Sequence, residues 1–172
     1  TNNYKVRVVN SIDVDVDDMY VVFVADNGAS GSGVWEETVG WEVTTTLDPL
    51  TMPHQLVRQA DGSFQFSPVT WATRDIGDDE TNPEPSFVGS TISGMFFYRN
   101  RLGFLSNESV VLSRAGDYFN FFATTALTVT DDDPIDLSAS SINPVNLNYV
   151  RPTSIGLVLY SSTEQFLLTT DS

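Results

Sequence analysis

The chain has 172 residues, a length that suits one domain or two small ones and is sufficient to bury a core. It has no cysteine, which excludes a disulfide framework and a thiolate metal site, and no apolar run approaches the length of a membrane span. Its 23 acidic and 8 basic residues give a net charge of −15. The resulting negative field disfavours ordinary binding to nucleic acid and by itself indicates solubility.

The first third of the chain contains short segments that are typical of β-strands. Residues 4–9 and 19–25 are rich in β-branched and aromatic side chains, and residues 12–17 alternate strictly between apolar residues and aspartate. A Gly-Ser tract over 28–33 predicts a flexible loop, and residues 35–43 resume the strand-like pattern.

The next segment predicts a hairpin followed by a boundary. Two short alternating runs at 55–58 and 64–66 flank residues 60–63, whose Asp-Gly pair favours a tight turn. Residues 77–85 combine acidic residues, glycine, asparagine and two prolines, which favours a loop and marks an internal boundary.

This organisation predicts two parts. Residues 1–48 form a possible small β subdomain or an insertion, and residues 49–172 form the main β domain, which we interpret as partial because the chain reads as a fragment of a longer protein.

The centre of the chain, residues 85–122, holds seven of the eleven phenylalanines. It contains three short apolar runs separated by polar turn formers, a spacing that predicts consecutive antiparallel strands, as in a meander or a propeller blade. The runs are residues 92–98, 102–105 and 110–112. We predict that Phe96 or Phe97, and Phe104 with Leu112, face the interior. Asp117 is a candidate cap for a short helical turn.

The last third continues the pattern of short strands. Residues 124–130 and 135–138 are strand-like, residues 143–150 are ambiguous with a helical turn as one option, and 155–161 pairs with 165–169 around a polar turn. No long apolar pattern has the helical period. We predict an all-β fold of short antiparallel strands in propeller-like blades.

Two aspartate clusters are candidates for binding a cation. Asp13, Asp15 and Asp17 resemble the opening of a calcium loop, but the sixth and twelfth positions, which need Gly and Glu, are Asp18 and Val24. An acidic solvent-facing side of a strand is the preferred interpretation. Three further aspartates, residues 131–133, could gather a hard cation, but a loop cluster before Pro134 is preferred, because consecutive side chains cannot all point at one ion.

Candidate catalytic residues are also sparse. His54 is the only histidine, and no Gly-x-Ser-x-Gly elbow accompanies it, so a structural role near a turn is favoured. Glu36 and Glu37 beside Trp35 suggest a glycosidase, because such enzymes use two carboxylates and often aromatic platforms, with Glu42 or Glu84 as further carboxylates. Neighbouring residues of a strand point to opposite faces, however, whereas that chemistry needs two carboxylates across one cleft.

Three arginines, Arg99, Arg101 and Arg114, lie among apolar residues of the central region, which favours buried or interfacial ion pairs over DNA contacts. Asp117 is the natural local partner of Arg114. We predict no catalytic, cofactor-binding or metal-binding residues.

Several phrases resemble one known family, the tail nozzle proteins (tail tubular protein B) of short-tailed bacteriophages of the podovirus type. The strongest are FYRNRLGFLS (97–106), SRAGDYFNFF (113–122) and DDDPIDLS (131–138), and the resemblance runs from about Tyr20 to Thr169. It implies a structural virion protein that forms a hexameric tube in the tail, below the portal, with a tail adaptor or gatekeeper protein and tail fibres as partners. DNA would pass through the lumen without specific binding, which an acidic lining would assist.

Two other classes of function remain open. An extracellular carbohydrate-binding or calcium-dependent adhesion module would show calcium-dependent stability and glycan binding. A tail-associated glycan hydrolase would release reducing sugar and would lose activity on a single carboxylate substitution.

Overall fold

The computed structural model describes residues 1–9 and 18–169. Within these residues the chain forms twelve strands and no helix, and every pair of neighbouring strands is antiparallel, so the predicted all-β class is confirmed. The strands are β1 (Tyr4–Val8), β2 (Met19–Ala25), β3 (Gly33–Thr38), β4 (His54–Arg58), β5 (Phe64–Pro68), β6 (Ile92–Tyr98), β7 (Arg101–Ser106), β8 (Ser109–Leu112), β9 (Ile135–Ser138), β10 (Leu147–Thr153), β11 (Gly156–Ser161) and β12 (Gln165–Leu168).

The chain divides into two compact units. Unit 1 comprises Thr1–Pro83 and Phe122–Thr130, and unit 2 comprises Glu84–Phe121 and Asp131–Ser172. The division after Pro83 falls within the loop over 77–85. The two parts inferred from the sequence, 1–48 and 49–172, and the propeller-like arrangement of the strands stay predictions.

Unit 1 contains a three-stranded sheet in the order β1-β2-β3. Its central strand, β2, consists almost entirely of β-branched and aromatic residues, which suit a pleated and partly buried surface. Asn27 closes the turn to β3, since its side-chain oxygen accepts the N–H groups of Ala29 at 2.9 Å and Ser30 at 3.0 Å. The strand predicted over 35–43 was too long, because β3 ends at Thr38 and Glu42 has a left-handed φ of 58°.

A separate hairpin, β4-β5, completes the strands of unit 1. Its turn has the predicted chemistry. Gly62 has a φ of 87°, and the carboxylate of Asp61 accepts the N–H and the hydroxyl of Ser63 at 2.9 and 2.7 Å.

A buried arginine holds the irregular segments of unit 1. Arg74 is 1% exposed, and its guanidinium donates to the carbonyl oxygens of Thr44 and Asn82, each at 2.9 Å. The side-chain oxygen of Asn82 in turn accepts the N–H of Ala123 at 3.0 Å. The strand predicted over 124–130 was wrong, because this segment pairs with no strand and the side chain of Glu37 accepts one of its N–H groups.

Unit 2 contains a four-stranded sheet in the order β6-β7-β8-β9 and a three-stranded sheet in the order β10-β11-β12. The predicted turns between the central strands are confirmed, and positive φ angles occur at Arg99, Asn100 and Asn107. Asp117 starts no helical turn and instead forms an isolated bridge with Arg114. A helical turn over 143–150 was also wrong, because β10 begins at Leu147.

Both faces of the four-stranded sheet are packed. On one face, Phe96, Leu105, Val110 and Leu112 form a buried cluster with three leucines of β10 and β11. The leucines are Leu147, Leu157 and Leu159. The sequence therefore identified the core correctly, with Phe96 buried and Phe97 60% exposed.

The other face of this sheet carries an aromatic cluster. Phe104 is 0% exposed and contacts Phe87 edge-on at a centroid distance of 5.3 Å and Phe121 in a stacked geometry at 5.4 Å. Because side chains alternate along a strand, β7 contributes Phe104 to this cluster and Leu105 to the opposite one.

Candidate functional site

The loop formed by Asp131, Asp132 and Asp133, here called the aspartate loop, is held by a buried arginine. Arg101 is 6% exposed, and its guanidinium donates to the carbonyl oxygens of Asp131 and Asp133, each at 2.5 Å, and of Ser113 at 2.7 Å. The acceptors of these hydrogen bonds are backbone carbonyl oxygens. The planar guanidinium can reach them together because it has five N–H donors.

Burial lowers the pKa of Arg101 from its ordinary value, and the negative charges of Asp132 and Asp133 oppose that shift. An arginine keeps its charge in proteins, so the loop surrounds a permanent cation. The acidic residues therefore stabilise an internal charge as well as contributing to the surface field.

A second arginine neutralises one carboxylate of the loop. Arg114 donates to the carboxylate of Asp132 and forms an ion pair with it. The sequence suggested Asp117 as the carboxylate partner of Arg114. That prediction was wrong, since Asp117 bonds to Arg114 only through its backbone. The carboxylate of Asp117 does not bind the guanidinium of Arg114, because the backbone bridge between the two residues fixes the direction of both side chains.

The three aspartates differ in exposure. Asp133 is 7% exposed, the side chain of Asp132 is 48% exposed and Asp131 is exposed. Only Asp131 and part of Asp132 thus present negative charge to solvent. In the part of the chain that the structure describes, no three residues among His, Asp and Glu come together in an arrangement that could hold a metal ion.

The third arginine of the central region behaves differently. Arg99 is exposed and lies over the ring of Tyr98 at 5.3 Å from its centroid.

Gly103 lies beneath the ring of Phe96, where a Cβ atom would approach a ring carbon to 2.3 Å. This position therefore requires glycine for close packing.

His54, Glu36 and Glu37 belong to unit 1, whereas the aspartate loop belongs to unit 2. Nδ1 of His54 is 3.1 Å from the carbonyl oxygen of Met52, and the ring stacks on Phe66 at 5.1 Å. These are the contacts of a structural histidine near a turn. Neighbouring positions on β3 direct Glu36 and Glu37 to opposite faces, and the carboxylate of Glu37 accepts the N–H of Ala126 at 3.0 Å.

The two remaining glutamates do not complete a described carboxylate pair. Glu42 is exposed beyond the end of β3, and Glu84 belongs to unit 2. The arrangement of Glu36 and Glu37 gives no two carboxylates across one cleft, which glycoside hydrolysis requires.

The first aspartate cluster, Asp13, Asp15 and Asp17, lies outside the described residues. The residue that follows it, Asp18, is 1% exposed and pairs with Arg7 at 2.6 Å.

One acidic residue of unit 1 has a perturbed pKa. Burial alone would raise the pKa of Asp78, but the N–H groups of Thr81 and Glu80 and the hydroxyl groups of Thr81 and Tyr20 bind its carboxylate and lower the pKa overall. Burial and the bond to Asp78 raise the pKa of the Tyr20 phenol. These groups close a structural turn.

Sequence reasoning missed the most connected residues. Nothing in the local pattern distinguishes Arg74 or Asn82 from surface residues, and the bonds of Arg101 to the aspartate loop join positions about 30 residues apart. The single available signal was the placement of Arg101 within an apolar run.

These features define a class before any comparison: an acidic all-β protein in which buried arginines bind the backbone of irregular segments. The chain matches the family described as Bacteriophage nozzle protein over residues 1–172, and it belongs to that family. It is therefore a structural component of the phage virion tail. It is 44% identical over 168 residues to tail tubular protein gp12 of Escherichia phage T7. The aligned region covers 98% of this chain and 20% of that relative, so the chain spans about a fifth of the relative's length.

Proposed function

We propose that this chain is a segment of the wall of a tail nozzle, a tube that conducts DNA during genome ejection. Membership of the nozzle family across all 172 residues carries the proposal. The proposed assembly is a hexameric ring whose partners are a tail adaptor or gatekeeper protein and tail fibres. The role is structural and involves no catalytic step, and the short sheets are parts of propeller-like blades.

The use of the basic residues supports passage of DNA without adhesion. At least five of the eight basic side chains bind groups of their own chain, and the carbonyl of Val39, for example, accepts a bond from Lys5 at 2.6 Å. The five are Lys5, Arg7, Arg74, Arg101 and Arg114. Binding to duplex DNA depends on basic side chains that release counterions from phosphates. A chain with a net charge of −15 that also uses most of its cations internally has little means of holding phosphate.

The surface field, rather than a specific site, keeps DNA from adhering. At physiological salt the field of an exposed charge extends over about 8 Å, so only acids that face the lumen contribute. Asp131 is the best candidate in the aspartate loop, because it is exposed and binds Arg101 through its carbonyl oxygen.

Duplex binding and ejection test this proposal. The assembled full-length protein should show no measurable affinity for duplex DNA at low salt, where a basic site would be strongest. Asp131→Lys should create salt-sensitive binding and slow ejection from assembled tails, whereas Asp131→Asn should change both little. The lysine variant ejecting at the normal rate would remove this loop from the lumen. Measurable duplex affinity of the unsubstituted ring would contradict passage without adhesion.

A further inference from the structure

The β4-β5 hairpin is an arm with little support from its own unit. Among the described strands, β4 and β5 pair only with each other. Almost all residues of its outer half, from Leu56 to Phe66, are exposed. A two-stranded hairpin is marginally stable in water without further packing, so this arm needs a covering surface.

One face of the arm is apolar. The pairing places Leu56 opposite Phe66 and Arg58 opposite Phe64 on the same face. Leu56, Phe64 and Phe66 are 64%, 62% and 71% exposed. The other face is mainly polar and carries Gln55, Gln65 and Ser67 together with Val57, and an apolar side opposite a more polar one is typical of a sheet whose apolar side is covered.

The apolar face continues at the base of the arm. Pro68, which follows Phe66 on the same face, also lines a cleft of about 600 Å³ together with Leu47, Val69 and Trp71. Arm and cleft lie within unit 1 and share Pro68, whereas Leu47, Val69 and Trp71 are buried. The exposed apolar surface is therefore that of the arm, and exposed apolar surface of this kind marks an interaction site.

The charge of the arm indicates what covers it. Residues 54–68 contain one arginine and one aspartate, so the arm has no net charge in a chain of net charge −15. Two copies of so acidic a chain repel each other over most of their surfaces. At the neutral arm, two copies of the chain can approach each other without this electrostatic repulsion. The composition of the arm also fits an interface core, because such cores are poor in charge and rich in aromatic residues.

We propose that the apolar face of the β4-β5 arm docks onto a second copy of this chain. This rests on the proposed function, because a tube wall built from repeated copies needs lateral contacts between neighbours. The apolar side chains of the arm are exposed, which leaves them open to a partner in trans. Phe64 and Phe66 are the anchors, since large aromatic side chains carry most of the binding energy in such contacts.

Photocross-linking in the assembled full-length protein tests the docking. The photoreactive residue p-benzoylphenylalanine replaces Phe66 in one preparation and Gln65, on the opposite face of the same strand, in the control. Rings are assembled from equal amounts of ¹⁴N-labelled and ¹⁵N-labelled copies. Position 66 should give cross-linked peptide pairs of mixed isotope, which join two copies, and position 65 should give none.

Each other outcome overturns the proposal. Cross-links of a single isotope composition place the arm against its own polypeptide, and cross-links to another tail protein name a different partner. Equal yields from the two positions remove the assignment to the apolar face, and the absence of any cross-link from position 66 removes the docking. Electron microscopy of the same samples distinguishes a failure of the docking from a failure of the proposed ring assembly. Rings without cross-copy links disprove only the docking, whereas the failure of the unsubstituted protein to form rings disproves the proposed assembly as well.

Discussion

Two arginines of this chain, Arg74 and Arg101, act as internal cations that organise backbone. Arg74 and Arg101 are buried and donate to carbonyl oxygens of segments that no sheet pairs. Each guanidinium satisfies several acceptors at once, which a loop inside a protein otherwise finds difficult. Irregular segments are thus fixed by single side chains that are distant in sequence.

Replacing Arg101 should destabilise unit 2. Arg101→Lys keeps the positive charge but loses the planar fork, so at least one of the three carbonyl acceptors remains unsatisfied. We expect a loss of about 2 kcal/mol in the free energy of unfolding, measured by urea titration. The matched control is Arg99→Lys, at an exposed position two residues away, which should change stability by less than about 0.5 kcal/mol. Equal effects of the two substitutions would show that the buried bonds contribute nothing specific.

The carboxylate of Asp78 should make stability depend on pH. Its folded pKa is lowered below the ordinary value of 3.8, so its contribution is complete above that value and is lost as the pH falls through the folded pKa. Asp78→Asn should lower the free energy of unfolding at neutral pH by about 1 kcal/mol and reduce its decline on acidification. Glu80→Gln, at an exposed neighbouring position, is the control. An unchanged pH dependence in the Asp78 variant would refute this role.

At the scale of elements, the strands differ greatly in how they are covered. The residues of β7 and β8 are buried throughout, whereas the β4-β5 arm is largely exposed. Stability is therefore concentrated in the centre of unit 2, and the exposed arm is available for contacts.

Truncation of two phenylalanines on neighbouring strands should separate core from surface. Phe104→Ala removes a ring that is 0% exposed and packs on Phe87 and Phe121, so we expect a loss of about 3–5 kcal/mol in the free energy of unfolding. Phe97→Ala, at a residue that is 60% exposed, should cost less than about 1 kcal/mol. Thermal and urea unfolding of both variants measure the difference. If Phe104→Ala were as stable as the parent, the aromatic cluster would not be core.

The sequence predicted local structure well where a short repeat or a turn determined it. The alternation in β6, β7 and β8 and the turn residues between them are local signals, and they specified the strands and the buried faces. The segment 124–130 has a strand-like composition, but it pairs with no strand, and the N–H of Ala126 binds the carboxylate of Glu37, which lies 89 positions away. The partner of Arg114 is Asp132 rather than the predicted Asp117, again because of a contact that is distant in sequence. The three-dimensional path of the aspartate loop cannot be read from the spacing of residues.

At the scale of the whole molecule, charge and fold support one function. The described residues contain no helix that is long and apolar enough to cross a membrane. The chain is an acidic β protein of the nozzle family, with exposed acids such as Asp131 and with most of its cations bound internally. These properties fit the proposed tube wall, which would have to release DNA quickly.

The position of this chain in the intact particle tests the central claim most directly. The loop at Gly28–Gly31 is a suitable place for a small rigid insertion, because no other atom lies within 4 Å of a Cβ added at either glycine. Electron cryomicroscopy of virions carrying this insertion in the full-length protein should show added density repeated around the tail tube, six times in a hexameric ring. Added density on the capsid, or a single copy on the tail, would contradict the account.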